Sequence, residues 1–169
     1  MKKTRTKAIV YLGLLIALHI ILSRFVSINA WNIKIGFAFV ATFIGAYLYG
    51  PVGGMIVGGL GDFLGAILFP IGPYFPGFTL NCALTGLVFG LLLYKNQTKI
   101  RIGIAVAIDQ LIIALWITSY WISFLYGSPY WPVVASRIVQ VVIMIIVQYV
   151  SIYGIIKIMD RIKAKSVAK

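Results

Sequence analysis

Acidic side chains are nearly missing from this chain. Asp62, Asp109 and Asp160 are the only three in 169 residues, against 15 Lys and Arg. With a single histidine, His19, and a single cysteine, Cys82, the sequence offers no metal-ligand cluster. It also offers no pair of carboxylates spaced for acid–base work. One cysteine excludes an internal disulfide, and in its apolar run Cys82 reads as a small core residue. No glycine-rich loop ending in lysine occurs, so ATP is not bound by that device. These absences argue against an enzyme, and they imply neither a metal nor a cofactor. Charged residues make up only 11% of the chain. The net charge of +12 does not mark a nucleic-acid binder, because the basic residues gather at segment ends instead of along an interleaved polar face.

Apolar residues fill the space that charge leaves. They reach 62%, where a soluble domain carries about 45–50%. One small core cannot hide so much apolar surface, so membrane lipid is the expected solvent. About 20 apolar residues are needed to cross the hydrocarbon. Six stretches approach that length, at about 8–28, 36–50, 52–69, 77–94, 101–126 and 131–158. The second is short, and the sixth is long enough to project beyond the bilayer. The expected fold is therefore a single all-α integral membrane domain of six transmembrane helices over 1–169. The basic N-terminus resembles a signal peptide, but no small-residue cleavage site follows, so the first stretch is expected to be retained.

The basic residues orient the chain. With both termini cytoplasmic, the inner side receives Lys2, Lys3, Arg5, Lys7, Lys95, Lys99, Arg101, Lys157, Arg161, Lys163, Lys165 and Lys169. Only Arg24, Lys34 and Arg137 remain for the outer half. The outer loops then read "SRFVSINAWNIK", "LFPIGPYFPGFTL" and "YGSPYWP", all rich in aromatic and turn residues. Pro70, Pro73 and Pro76 stiffen the middle one, which suits a lid or pocket wall that loses little entropy on closing.

An ionised group at the centre of a membrane helix costs about 2.5–3.5 kcal/mol on insertion scales, so Asp62, Asp109 and Arg137 need an account. Two stand open: mutual pairing, for instance Asp62 with Arg137, or lining a ligand cavity. Arg137, Gln140, Met144 and Gln148 are spaced to share one helix face, which should turn toward protein or a cavity. Asp109, Ile113, Trp116 and Tyr120 make a second such stripe. Gly13 and Ala17 form a small-xxx-small pair, and 52–69 carries Gly54, Gly58, Gly61 and Gly65, where helices can approach closely. His19 is expected to be a hydrogen-bonded interior residue.

"LSRFVSI", "IKIGFAFV" and "YGPVGGMIVGGLGDFLGAILFPIGPYFPGFTLNCALTGLVFGLLLY" resemble the folate-specific substrate-binding (S) component of energy-coupling factor (ECF) transporters. The match runs over 22–94 and is most specific between Gly50 and Gly86. Family members often place a proline near Ala41; this chain does not, so no kink is implied there. The resemblance implies a six-helix bacterial plasma-membrane protein with an outward pocket, which captures a vitamin and releases it inward. It implies an energy-coupling transmembrane subunit and two ATP-hydrolysing subunits as partners. It also implies that Gly13 and Ala17 dock the coupling subunit.

Folate joins a flat pterin to an aromatic linker and a glutamate. Trp31, Tyr74, Phe75, Trp116 and Tyr120 are candidates to stack on its rings. Arg24, Lys34 and Arg137 are candidates for its carboxylates. Asp62 is a candidate acceptor for the pterin N–H groups, with Asn32 and Asn81 as uncharged partners. Another vitamin such as riboflavin or thiamine, or a non-transport membrane scaffold, are the alternative readings.

Overall fold

A helix satisfies its backbone hydrogen bonds within one segment, as a chain this apolar requires, and helices take up most of it. The computed structural model describes residues 2–29 and 34–167, with the side chains of 6–27 and 35–161. The helices are α1 (Lys2–Arg24), α2 (Ala38–Leu68), α3 (Pro76–Leu93), α4 (Lys99–Ala107), α5 (Thr118–Tyr126) and α6 (Tyr130–Val167). A π-helix, Ile108–Ile117, joins α4 to α5 without a break. Two short strands, β1 (Ser27–Asn29) and β2 (Lys34–Gly36), pair antiparallel with Ile28 opposite Ile35. The sequence pattern had not indicated that ribbon.

Among the described residues five helical stretches, not six, are long and apolar enough to cross a membrane. The expected segments 36–50 and 52–69 form the single element α2, with one non-helical residue, Gly50, at φ 74° and ψ −163°. A side chain rarely adopts that φ, and Pro51 behind it has no amide to continue the ladder. The chain folds back there. A Cβ placed on Gly45 would lie 3.2 Å from the Gly53 carbonyl oxygen, whereas residues eight apart in a straight helix are about 12 Å apart. The first arm, 38–49, is about 18 Å long and falls short of the roughly 30 Å hydrocarbon.

The second arm packs on α3 backbone to backbone. A Cβ on Gly54 or Gly86 would strike the other glycine's carbonyl oxygen, and one on Gly58 would strike that of Cys82. The main apolar cluster lies where the first arm meets α3, α4 and α6, around Phe43, Phe89, Leu93, Ile102, Val106 and Ile152. Phe43 and Phe89 meet edge to face at 6.2 Å.

Contacts sort the chain turns into two ends. Gly50 lies against the Tyr94 ring, and the Lys99 ammonium sits 5.7 Å from the Tyr153 ring centre. At the opposite end Gly65 meets Arg24, Phe25 packs on Phe69 at 5.2 Å, and Phe75 packs on Trp121 at 5.4 Å. The aromatic turns thus share one end, and the basic turn after α3 shares the other with the late part of α6.

Candidate functional site

A cavity of about 580 Å³ opens at the aromatic end, above the apolar cluster. Its rim is the α2–α3 connection. Ile71, Gly72, Pro73, Tyr74 and Phe75 line it, and Pro76 starts α3 at a position where its missing amide costs no hydrogen bond. The stiff, uncharged loop is therefore a wall of the cavity. Tyr74 is braced edge to face on Phe63 at 5.8 Å.

Three polar clusters interrupt the apolar lining. In the first, Arg24 on α1 faces Asp62 on α2. Its Nη2 lies 3.5 Å from Asp62 Oδ1 and donates to the Asp62 backbone oxygen at 3.4 Å. Thr79 Oγ1 donates to Asp62 Oδ2 at 2.9 Å. Asp62 thus pairs with Arg24 and not with Arg137, the partner named in one of the two accounts that the sequence leaves open. Arg137 also lines the cavity, but its Nη2 donates to the Ala114 carbonyl oxygen at 3.2 Å.

The second cluster centres on Asn81. Its Nδ2 donates to Thr118 Oγ1 at 2.9 Å, and its Oδ1 accepts from Trp121 Nε1 at 3.3 Å. The third centres on Asp109, buried at the cavity floor. Thr85 Oγ1 donates to its Oδ1 at 2.6 Å, while Gln148 Nε2 and Gln110 Nε2 donate to its Oδ2 at 2.8 and 3.0 Å. On the α1 side, His19 Nδ1 lies 3.1 Å from Thr42 Oγ1, in the interior setting expected for it.

The α6 stripe Arg137, Gln140, Met144 and Gln148 faces the cavity as one row. The stripe through Asp109 and Ile113 does not continue to Trp116 and Tyr120. Those two rings are 46% and 55% exposed and pack outside the cavity on Trp131 and Trp121. The π-helix is the reason. Two α-turns from Asp109 lead to position 116, but the wider i→i+5 turns lead to Thr118, and one more turn leads to Ile122. Thr118 and Ile122 line the cavity instead.

Of the other candidate residues, Arg24, Asp62, Tyr74, Phe75 and Asn81 come together around the cavity. Trp31 and Asn32 lie outside the described residues. Lys34 opens β2, and its side chain lies outside those described. Gly13 and Ala17 sit on the exposed face of α1. Thr79, Thr85, Gln110, Thr118 and Trp121 lie off both stripes, and a single hydroxyl, amide or indole on an apolar helix carries no signal until its partner helix is known. Among the described residues no group of three or more His, Cys, Asp or Glu is placed to hold a metal ion.

Comparison with known proteins adds a lineage. The family model of the ECF-type riboflavin transporter S component matches residues 3–161. "Folate transporter FolT" of Clostridium novyi (strain NT) is 33% identical over 160 residues, covering 94% of this chain and 93% of that protein. "Folate transporter FolT" of Leuconostoc mesenteroides is 29% identical over 153 residues, covering 86% and 82%. A solved structure described as "Crystal structure of FolT bound with folic acid" superposes with a TM-score of 0.84 at 32% identity, over 89% of this chain and 92% of that one. Another, "Structure and mechanism of the S component of a bacterial ECF transporter", superposes with a TM-score of 0.72 at 22% identity, over 94% and 98%, and shows the shared fold.

Proposed function

The chain belongs to the S components of ECF-type transporters, and from that premise we propose that it captures folate, or a reduced folate, at the outer face of a bacterial plasma membrane. It is a transport component and not an enzyme. It performs no chemistry on its ligand; it delivers the vitamin inward by associating with an energy-coupling transmembrane subunit and two ATPase subunits. In this reading both termini are cytoplasmic and the aromatic end faces out. The hairpin α2 supplies the second and third of six membrane-embedded segments.

One observation carries the substrate class. A cavity of about 580 Å³ brings ring-bearing walls together with two described cations, Arg24 and Arg137. Ligand pockets run from about 300 to 1,000 Å³, with mostly apolar walls and a few placed polar groups. A flat acid needs both features, ring faces for its heterocycle and guanidinium groups for its carboxylates. The folate relatives and the folic-acid complex support folate over other vitamins. Riboflavin is the second reading, supported by the name of the matching family model.

Titration of the detergent-purified chain with folate tests the proposal. Trp121 stands at the Asn81 cluster beside Phe75, so binding should quench part of the fluorescence of the four tryptophans. No quenching and no heat at micromolar folate would sink the substrate assignment. Competition by riboflavin or thiamine at similar concentrations would transfer it to that vitamin.

A further inference from the structure

The π-helix gives way to α5 at Thr118, and the change of pitch leaves a mark on the backbone. The Thr118 amide still reaches back five residues, to the Ile113 oxygen. From there α5 follows the four-residue ladder, in which the Ser119 amide reaches back to Leu115. The step passes over one carbonyl oxygen, that of Ala114. A continuous α-helix has no such gap, because there the Thr118 amide takes the Ala114 oxygen. In a segment long and apolar enough to cross a membrane, a skipped carbonyl is costly unless another donor reaches it.

Arg137 is that donor. It reaches across from α6, is 4% exposed, and places its Nη2 3.2 Å from the Ala114 oxygen. Two side chains brace the same turns from the other side. Thr118 Oγ1 donates to the Ile113 oxygen at 2.8 Å, and Asn81 Nδ2 on α3 donates to that hydroxyl at 2.9 Å. Relaxation of 108–117 to ordinary α-turns would close the gap and leave Arg137 facing an oxygen already taken by an amide.

We infer that Arg137 is a positioning residue: its guanidinium binds the carbonyl skipped where the π-helix ends, and so selects the wide turns that put Thr118 and Ile122 on the cavity. The same residues have an α-helical alternative, which puts Trp116 and Tyr120 there instead. Loss of the hydrogen bond favours that alternative. It rotates α5, brings Trp116 opposite Asn81 and pushes rings into the space a ligand needs. This role is separate from the carboxylate contact proposed above, and it holds whichever vitamin binds.

The test reads the register directly, without ligand, on the full chain in detergent with Cys82 replaced by Ser. Two cysteine pairs are compared: Asn81→Cys with Thr118→Cys, and Asn81→Cys with Trp116→Cys. A short bis-methanethiosulfonate linker joins facing thiols, and joined pairs escape a maleimide mass tag. With Arg137 present, the first pair should link and the second should not. Arg137→Met, which lacks every donor, should shift the ratio of the two by about tenfold or more toward the pair at 81 and 116. A role in stability alone would lower the melting temperature and leave that ratio unchanged.

Removing Leu111 and Ile112 supplies the rescue, because the shortened segment brings Thr118 to the cavity face with ordinary α-turns and skips no carbonyl. There Arg137→Met should leave the ratio within about twofold, and it should lower the melting temperature by less than in the full-length chain. Folding of Arg137→Met only in the shortened chain would support the inference in the same way. Linking at 81 and 116 while Arg137 is present, an unchanged ratio in Arg137→Met, or equal damage in the two chains would each overturn it. No ligand enters these measurements, so a failure of folate binding leaves the inference standing.

Discussion

Asp62 and Asp109 are chemically identical, yet their neighbours set them apart. Asp62 meets a guanidinium and a hydroxyl, whereas Asp109 meets one hydroxyl and two amides. The sequence marks both as costly residues in lipid and leaves open whether they pair or line a cavity; in the fold both line the cavity, and Asp62 also pairs, with Arg24 as its cation. Removing one partner of a fully buried pair costs about 3–5 kcal/mol. Here the contact is long, 3.5 Å, and both side chains keep about a tenth of their exposure. Arg24→Ala and Asp62→Ala should therefore each destabilise by about 1–3 kcal/mol. A double-mutant cycle on melting in detergent should return a coupling of about 1 kcal/mol. Strictly additive effects would mean that the two groups do not support each other.

At the scale of elements, glycine placement and one change of helical pitch shape the site. Gly86→Ala puts a methyl against the Gly54 carbonyl across the α2–α3 seam. Overpacking of that kind costs about 1–3 kcal/mol or more, so the melting temperature should fall. Gly154→Ala, with open space around its Cβ, is the control and should be neutral or slightly stabilising. The π-helix makes a sharper forecast. Deleting Leu111 and Ile112, both exposed, places Thr118 seven residues after Asp109, one face of an ordinary α-helix. This double deletion should keep folate binding within about tenfold, whereas deleting Ile112 alone should abolish it by rotating α5 roughly a quarter turn. Equal loss in both would show that the wide turns do not set the cavity face. The α6 stripe is legible because an α-helix repeats every 3.6 residues; the face through Trp116 is not, because nothing local announces the i→i+5 turns.

At the scale of the whole molecule, charge and small residues govern placement and partnership. The described basic turn at Tyr94–Lys99 lies opposite the aromatic loops. With Cys82 replaced by Ser, an impermeant maleimide should label Gly72→Cys in intact cells and spare Asn96→Cys. Both positions are exposed, so the reverse pattern would invert the orientation. On α1, Gly13 faces open space in an apolar setting with Leu14 at 62% exposure. Gly13→Leu or Ala17→Leu should impair cellular uptake at least severalfold while the purified chain binds folate almost normally. Equal loss of both activities would place that face inside the protein rather than against a coupling subunit.

Composition alone determined that this chain is apolar enough for lipid and that helices should carry the fold, because solvent acts on every residue regardless of its neighbours. Local pattern determined the turn at Gly50–Pro51 and the α6 row, where backbone sterics and helical pitch act within a few residues. Only the tertiary structure decided that α2 is a hairpin with a short first arm, that Arg24 is the partner of Asp62, and that Thr118 replaces Trp116 at the cavity. Those outcomes depend on contacts between residues distant in sequence and on a pitch that neighbouring helices select, and neither is written in any single segment.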